Sequence, residues 1–273
     1  MLKTRIITAT LLIAALLPAM FMASSFTWAA MMLVVSILAV YEWAKLVNLS
    51  QVVSIGYALV YAALGIALLM AISTLGFHWL MSLSFIVFVG SAFFWLLVVP
   101  LLMKKCVVVE NKVLLMLIGF LLIAPLWLAL IFAKGADPWL LLTLLATIWL
   151  ADSAAYFAGK NFGKHKLAPN ISPGKTWEGV LGALLAVTVL GFVLMISGRV
   201  TSLAVFPLLW LVAGSGVVGD LFESLIKRQF GKKDSGTLLP GHGGILDRID
   251  GLLPSLPIAV LMIYLFYYFQ AVS

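Results

Sequence analysis

Two pairs of carboxylates frame one polar segment near the C-terminal end of the chain. Asp220 and Glu223 are three residues apart, and so are Asp247 and Asp250. Residues three apart share one face of a helix, so each pair can point the same way. The segment 220–250 holds five of the chain's ten acidic residues, together with the basic residues Lys227, Arg228, Lys232, Lys233 and Arg248. Carboxylates converging from two helix ends suit a hard cation such as magnesium, which completes its shell with water and substrate phosphate. Gly241, Gly243 and Gly244 lie between the pairs. They allow a tight turn or a close approach of the backbone to phosphate. His242 could be a metal ligand or a proton carrier. With no Cys or His nearby, phosphate contact or a role in the loop fits it better, and zinc is disfavoured.

A further acid, Asp152, sits inside an apolar run, in Trp149-Leu150-Ala151-Asp152-Ser153-Ala154-Ala155-Tyr156. A carboxylate at membrane depth is expensive unless it faces a partner, a metal or a wet cavity. Tyr156 lies one turn on, along the same face. The next segment, Gly159 to Gly179, carries Lys160, Lys164, Lys166 and Lys175 among Gly, Ser and Pro residues. Its Gly174-Lys175-Thr176 has the look of a Walker A ending. That reading fails, because Pro169 stands where the pattern needs glycine and no strand is expected before it. Lysines, small residues and a helix N-terminus at Trp177 still offer an anion site, suited to a triphosphate or a lipid phosphate. Carboxylates for a metal beside lysines for phosphate fit phosphoryl or nucleotidyl transfer.

The elements that must position these groups are membrane spans. The chain is 64% hydrophobic and only 10% charged, where soluble domains carry about 25% charged residues. Long unbroken apolar runs indicate helices, since barrel strands would alternate over about ten residues. Nine stretches reach spanning length: 6–23, 27–44, 52–73, 79–101, 113–133, 138–158, 179–197, 203–223 and 253–271. The first is read as a retained span rather than a cleaved signal, being long for a signal core and followed at once by more spans. The lone Cys106 excludes an intramolecular disulfide.

With the N-terminus inside, fifteen of the seventeen Lys and Arg residues fall in inner segments, leaving Lys134 and Arg199 outside. This bias sets the orientation. The polar loops 159–178 and 224–252 are then cytoplasmic and the C-terminus lies outside. The net charge of +7 accordingly reflects inner loops and anionic lipid heads rather than nucleic acid. The chain divides into a scaffold of spans over 1–137 and a catalytic part over 138–273 that carries both loops. The scaffold looks chemically quiet. Glu42, with Lys45 three residues on, reads as an interfacial ion pair; His78 falls in a short outer loop; Trp28, Trp43, Trp79 and Trp95 read as belt or packing residues.

From Ser224-Leu-Ile-Lys227-Arg228 through Lys233-Asp234-Ser-Gly236 to Pro240-Gly-His242-Gly243-Gly244-Ile-Leu-Asp247-Arg248-Ile-Asp250, the sequence resembles the phosphatidate cytidylyltransferases (CDP-diacylglycerol synthases). Ser172-Pro-Gly-Lys175-Thr-Trp-Glu178-Gly resembles the family's second motif. The resemblance extends over the whole chain. It implies condensation of CTP with phosphatidic acid to CDP-diacylglycerol and pyrophosphate in a bacterial cell (inner) membrane. It also implies a magnesium requirement, potassium as a second cation in some members, and a homodimer. By resemblance, Asp220 and Asp247 match the metal-binding acids, with Asp250, Asp152 and Glu223 as further candidate ligands. Asp220, Asp247, Lys227 and Arg248 form the expected catalytic set. Ser172, Lys175, Glu178, Lys227, Arg228, His242, Gly243, Gly244 and Arg248 are the expected substrate and phosphate contacts.

Two rivals remain at this stage. A CDP-alcohol phosphotransferase would continue from Asp-Gly into further spaced acids, but here Asp250-Gly251 runs into Leu-Leu-Pro with nothing acidic downstream. A non-enzymatic ion or lipid transporter could use Asp152 and Asp220, yet a bland half joined to a charged half lacks the matched halves of many transporters.

Overall fold

The fold was obtained as a computed structural model. It describes residues 2–75, 77–238, 241 and 243–272, and for 2–6, 9, 72–73, 75, 77–79 and 271–272 the backbone alone. Eleven helices and one hairpin run along the described chain: α1 (Leu2–Met22), α2 (Ser25–Leu46), α3 (Gln51–Leu75), α4 (Phe77–Phe93), a π-helical turn (Phe94–Val98), α5 (Val99–Lys105), α6 (Lys112–Ala136), α7 (Pro138–Phe162), β1 (Lys166–Ala168), β2 (Ser172–Thr176), α8 (Trp177–Ile196), α9 (Val205–Gln229), α10 (Leu246–Ile249) and α11 (Leu252–Val272).

Eight helices are long and apolar enough to cross a membrane by their described residues alone. The ninth expected span is α1, a helix of 21 residues whose described apolar part is Thr10–Met22. The remaining expectations hold to within a few residues, with α10 and α11 together forming the last span. His78 lies within α4 rather than in a loop; its side chain, like that of Trp79, is outside the described residues. Apolar residues such as Leu181, Leu185, Val189 and Ile196 cover the outside of α8. A surface this apolar is stable against lipid tails, not against water.

The tryptophans of α2 pack rather than form a belt. Trp28 and Trp43 are fully buried and donate to the carbonyls of Leu130 and Leu115 in α6, at 3.0 and 2.8 Å. Trp127 of α6 returns a bond to Ala29, at 3.0 Å. Indole N–H groups need such partners when buried, and here the partners lock α2 to α6.

Small residues set the helix spacing around the polar segments. Gly179 and Gly182 of α8 lie against Ala155, Ala154 and Ala158 of α7 with no room for a Cβ. Gly219 of α9 lies equally close to the Asp250 carbonyl and the Pro254 ring. Close backbone approach through small residues is the usual way to pack helices in lipid, where no hydrophobic drive acts between them. It brings Asp152 on α7, Asp220 on α9 and Asp250 on the α10–α11 junction toward one another.

The segment 159–178 is more ordered than the expected loop. Helix α7 continues to Phe162, and β1 pairs antiparallel with β2, Lys166 opposite Thr176 and Ala168 opposite Ser172. Gly174-Lys175-Thr176 is itself part of β2, so it is not a phosphate loop placed between a strand and a helix. Helix α8 does begin at Trp177, capped by the Thr176 hydroxyl, which accepts from Gly179 N at 3.1 Å.

Gly219→Val should force α9 from α11 and cost about 1–3 kcal/mol through overpacking. The expected result is a lower melting temperature in detergent. Gly214→Val on the same helix, where a Cβ meets nothing within 4 Å, should melt like the parent.

Candidate active site

A cavity of about 520 Å³ opens where α7, β2, α9 and the α10–α11 junction meet. Asp152, Asp220, Asp247 and Asp250 line it, with Lys160 and Lys175 beside them. Ser172, Gly174 and Thr176 of β2 complete that wall, and Tyr156 and Gly159 add the rest of the α7 face. The site thus draws on both segments that the sequence singled out.

Each lining carboxylate has a different setting. Asp220 is the most open, 40% exposed, and its Oδ2 lies 2.6 Å from Lys175 Nζ. Lys175 also reaches the Val217 carbonyl at 3.4 Å, which fixes its ammonium on the cavity wall. Asp247 is only 8% exposed. Its Oδ1 takes Lys227 Nζ at 2.7 Å, while its Oδ2 accepts from Ser235 N, Ser235 Oγ and Gly244 N at 2.8–2.9 Å. Asp250 Oδ1 accepts from Gly251 N at 2.8 Å. Neither Asp152 nor Asp250 has an ion-pair partner among the described residues.

Glu223 lies behind the cavity, 3% exposed, with neither oxygen hydrogen-bonded among the described residues and Lys227 Nζ 3.5 Å away. Lys227 therefore serves two buried acids at once. Gly243 takes φ of +83°, and a Cβ there would press on Asp247 Oδ2. Glycine is needed at that turn for both reasons. Gly244 contributes its N–H to Asp247. Arg228 and Arg248 are exposed at the ends of α9 and α10. His242 lies outside the described residues.

Glu178 is not on the cavity wall. Its Oε1 lies 2.6 Å from His165 Nδ1, and its carboxylate accepts from His165 N at 3.2–3.3 Å. It ties the first turn of α8 to the residue before β1, so it holds the hairpin that carries Ser172 and Lys175.

Sequence reasoning misplaced Glu42. It makes no ion pair with Lys45, whose Nζ bonds Gln51 Oε1 instead. Glu42 is buried, and its Oε2 accepts from Leu246 N at 3.0 Å, beside Asp247. The signal was available, because an acid within a span asks for a partner. That partner is backbone 204 residues away, which no local pattern reveals. Ser235 was missed for the same reason. Outside the spans, burial and the nearby Lys45 charge push the Lys232 ammonium below its ordinary pKa.

Lys227→Met should leave Glu223 and Asp247 buried without their cation, a change that costs about 3–5 kcal/mol. Unfolding in detergent should show it clearly. Arg228→Met, exposed on the next residue, should stay within about 0.5 kcal/mol of the parent.

The cytidylyltransferase family model matches residues 3–266. A phosphatidate cytidylyltransferase of Haemophilus influenzae is 34% identical over 286 aligned positions, covering 94% of this chain and 96% of that protein. One of Pseudomonas aeruginosa is 35% identical over 276, covering 97% of each. One of Bacillus subtilis is 37% identical over 181, covering 63% of this chain and 67% of that protein. With the match running nearly end to end and both carboxylate pairs inside it, this chain belongs to the cytidylyltransferase family.

Proposed function

We infer that the chain transfers the cytidylyl group of CTP to phosphatidic acid, giving CDP-diacylglycerol and pyrophosphate. The observation that carries this reading is the cavity, where four aspartates and two lysines meet among membrane spans. Two polyanions react, one of them a lipid, and the site is polar, charged of both signs and set among apolar helices. Relatives matching nearly end to end bear the same activity in their names.

The nucleophile is an oxygen of the lipid phosphate. It attacks the α-phosphorus of CTP in line; the new O–P bond forms as the bond to pyrophosphate breaks. A phosphomonoester has its second pKa at about 6, so this oxygen is already anionic near neutral pH. A strong general base is unnecessary. The barrier lies in bringing negative charges together and in stabilising the leaving pyrophosphate. Lys175, on β2, lines the cavity and can meet a phosphate group there, and Lys160 of α7 lines it as well. Ser172 and the Gly174 backbone lie on the same wall. Lys227 and Asp247 keep the Gly243-Gly244 turn in place through the bonds described above. The acyl chains can remain among the spans while the head group enters the cavity.

The donor set fits magnesium. All the candidate ligands are oxygens, as a hard cation requires. Asp152 and Asp250 lack ion-pair partners among the described residues, and Glu223 buries two oxygens with no hydrogen bond. Among the described residues no three acids or histidines form a ready-made ion shell, so a cation there would need water and substrate oxygens to complete its coordination. Asp220 and Asp247 would hold it, with Asp250, Asp152 and Glu223 as additional donors and potassium as a second cation. A divalent cation held there would supply Lewis-acid stabilisation of the negative charge that gathers when the two phosphate groups meet. We place the chain in the bacterial inner membrane as a homodimer, with its N-terminus and the cavity on the cytoplasmic side and its C-terminus outside. The bias of basic loop residues supports that orientation.

The deciding experiment gives purified protein in detergent α-labelled CTP, magnesium and phosphatidic acid. Labelled liponucleotide is expected; a folded sample that makes none overturns the reading. Asp247→Asn should lower turnover by roughly 100-fold or more, as expected when charge stabilisation at the reacting phosphate is lost, while expression stays near normal. Lys175→Ala should act mainly on apparent affinity for CTP or phosphatidic acid. Unchanged KM for both would remove Lys175 from phosphate binding.

A further inference from the structure

We propose that Glu42, in the N-terminal half of the chain, is a positioning residue for the catalytic loop: its carboxylate anchors the turn that presents Asp247. The proposal rests on the cytidylyl-transfer activity inferred above. It concerns a residue outside both sequence motifs, in the half that otherwise looks like scaffold.

Glu42 is 2% exposed, near the end of α2. Its Oε2 accepts from the backbone N–H of Leu246, the first residue of α10, at 3.0 Å. Its other oxygen, Oε1, is buried with no hydrogen-bond partner among the described residues. The Leu246 donor immediately precedes Asp247 in sequence. The rest of the loop wraps the same carboxylate. A Cβ at Gly236 would strike Oε1, and one at Gly244 would lie 2.6 Å from Oε2. Gly244 is the residue whose N–H bonds Asp247 Oδ2, and Gly236 follows Ser235, which supplies that oxygen with two more bonds. Every donor to Asp247 Oδ2 is therefore within one residue of a glycine seated on Glu42.

A second tie reinforces the first. Lys232 Nζ donates to the carbonyls of Lys45 and Leu46, the last residues of α2, at 2.5 and 3.0 Å. The end of α2 is itself held by Trp43, bonded to Leu115 of α6. The loop is thus clamped at both its beginning and its end to one firm post.

Packing alone does not call for a carboxylate there. Glu42 has no ion-pair partner among the described residues, and a buried acid without one costs several kcal/mol more than an apolar side chain of similar size. What the carboxylate supplies is an acceptor for the Leu246 N–H at the turn that sets the direction of Asp247. Misplacing a reacting group by about 1 Å costs up to roughly 100-fold in rate.

The test compares the parent with Glu42→Ala and Glu42→Gln as full chains in detergent, reading liponucleotide synthesis, thermal melting and limited trypsin cleavage. The Ala variant should lose kcat by roughly 10- to 100-fold, because Asp247 loses its direction. Its KM for CTP should stay within about threefold, since Lys175 and Asp220 rest on other elements. Cleavage at Lys232 and Lys233 should accelerate about tenfold as local opening of the loop becomes easier, with the melting temperature nearly unchanged. The Gln variant keeps a side-chain carbonyl for the Leu246 N–H and should recover most of the lost kcat and protection. Parental kcat and cleavage in the Ala variant would overturn the proposal. So would a Gln variant that is inactive with its loop still protected, because the charge itself would then be what matters. If the Ala variant does not fold, the Gln variant decides by the same two readings. A parent chain that makes no liponucleotide would instead remove the activity, and the cleavage comparison would still judge the anchor.

Discussion

Negative charge held inside an apolar bundle has to be matched, and that constraint organises this molecule. Glu223 and Asp247 are almost fully buried, and one ammonium, that of Lys227, stands between them. Asp220 is matched by Lys175 from a different element. Ion pairs in a medium of low polarity repay the cost of desolvation only when the geometry is tight. The bundle must therefore hold α9, β2 and the α10–α11 junction at fixed separations. Where the matching is incomplete, at Asp152 and Asp250, the acids face the cavity, and that is where cationic or polyanion-bound cationic partners have something to gain.

The fixed separations come from residues with little or no side chain. At the α9–α11 contact, Gly219 sits on the Asp250 carbonyl and Pro254. A larger residue there would move Asp220, the next residue, away from Asp250. At the α7–α8 contact, Gly179 and Gly182 let the start of α8 press against the alanines around Asp152. The hairpin is then carried in by the Glu178–His165 tie. Charge placement and helix packing are in this sense the same design, since each glycine contact stands one to three residues from an acid or lysine of the site.

Much of this was legible in the sequence because membrane chemistry is sparse. Spans announce themselves by length, and an acid among them is expensive enough to be informative. Asp152, Asp220, Asp247 and Asp250 could be named from that cost and from the motifs, and all four line one cavity. What stayed hidden depends on contacts distant in sequence. Glu42 has Lys45 one turn away, so the local reading was a surface ion pair; its real partner lies on α10. The hairpin was hidden because Pro173 and Gly174 argue against a strand, yet two short strands need only a few bonds when a capped helix and a Glu178–His165 pair hold their ends.

Asp220 and Asp247 both line the cavity, yet their surroundings give them unequal work. Asp247 Oδ2 already accepts three hydrogen bonds, so only Oδ1, shared with Lys227, remains for any other ligand. Asp220 is 40% exposed and has one strong partner, on a strand at the cavity wall. Among the described residues its second oxygen meets only the Ser224 hydroxyl, at 3.4 Å. A phosphate or cation entering the cavity can compete for Asp220 and Lys175 at small cost. It cannot displace the donors of Asp247 without undoing the loop. Asp247 therefore acts from a fixed direction, and Asp220 is the adaptable member. A site that must admit two polyanions and release a third needs both kinds of carboxylate: one that keeps the geometry, and one that can change partners as charge arrives and leaves.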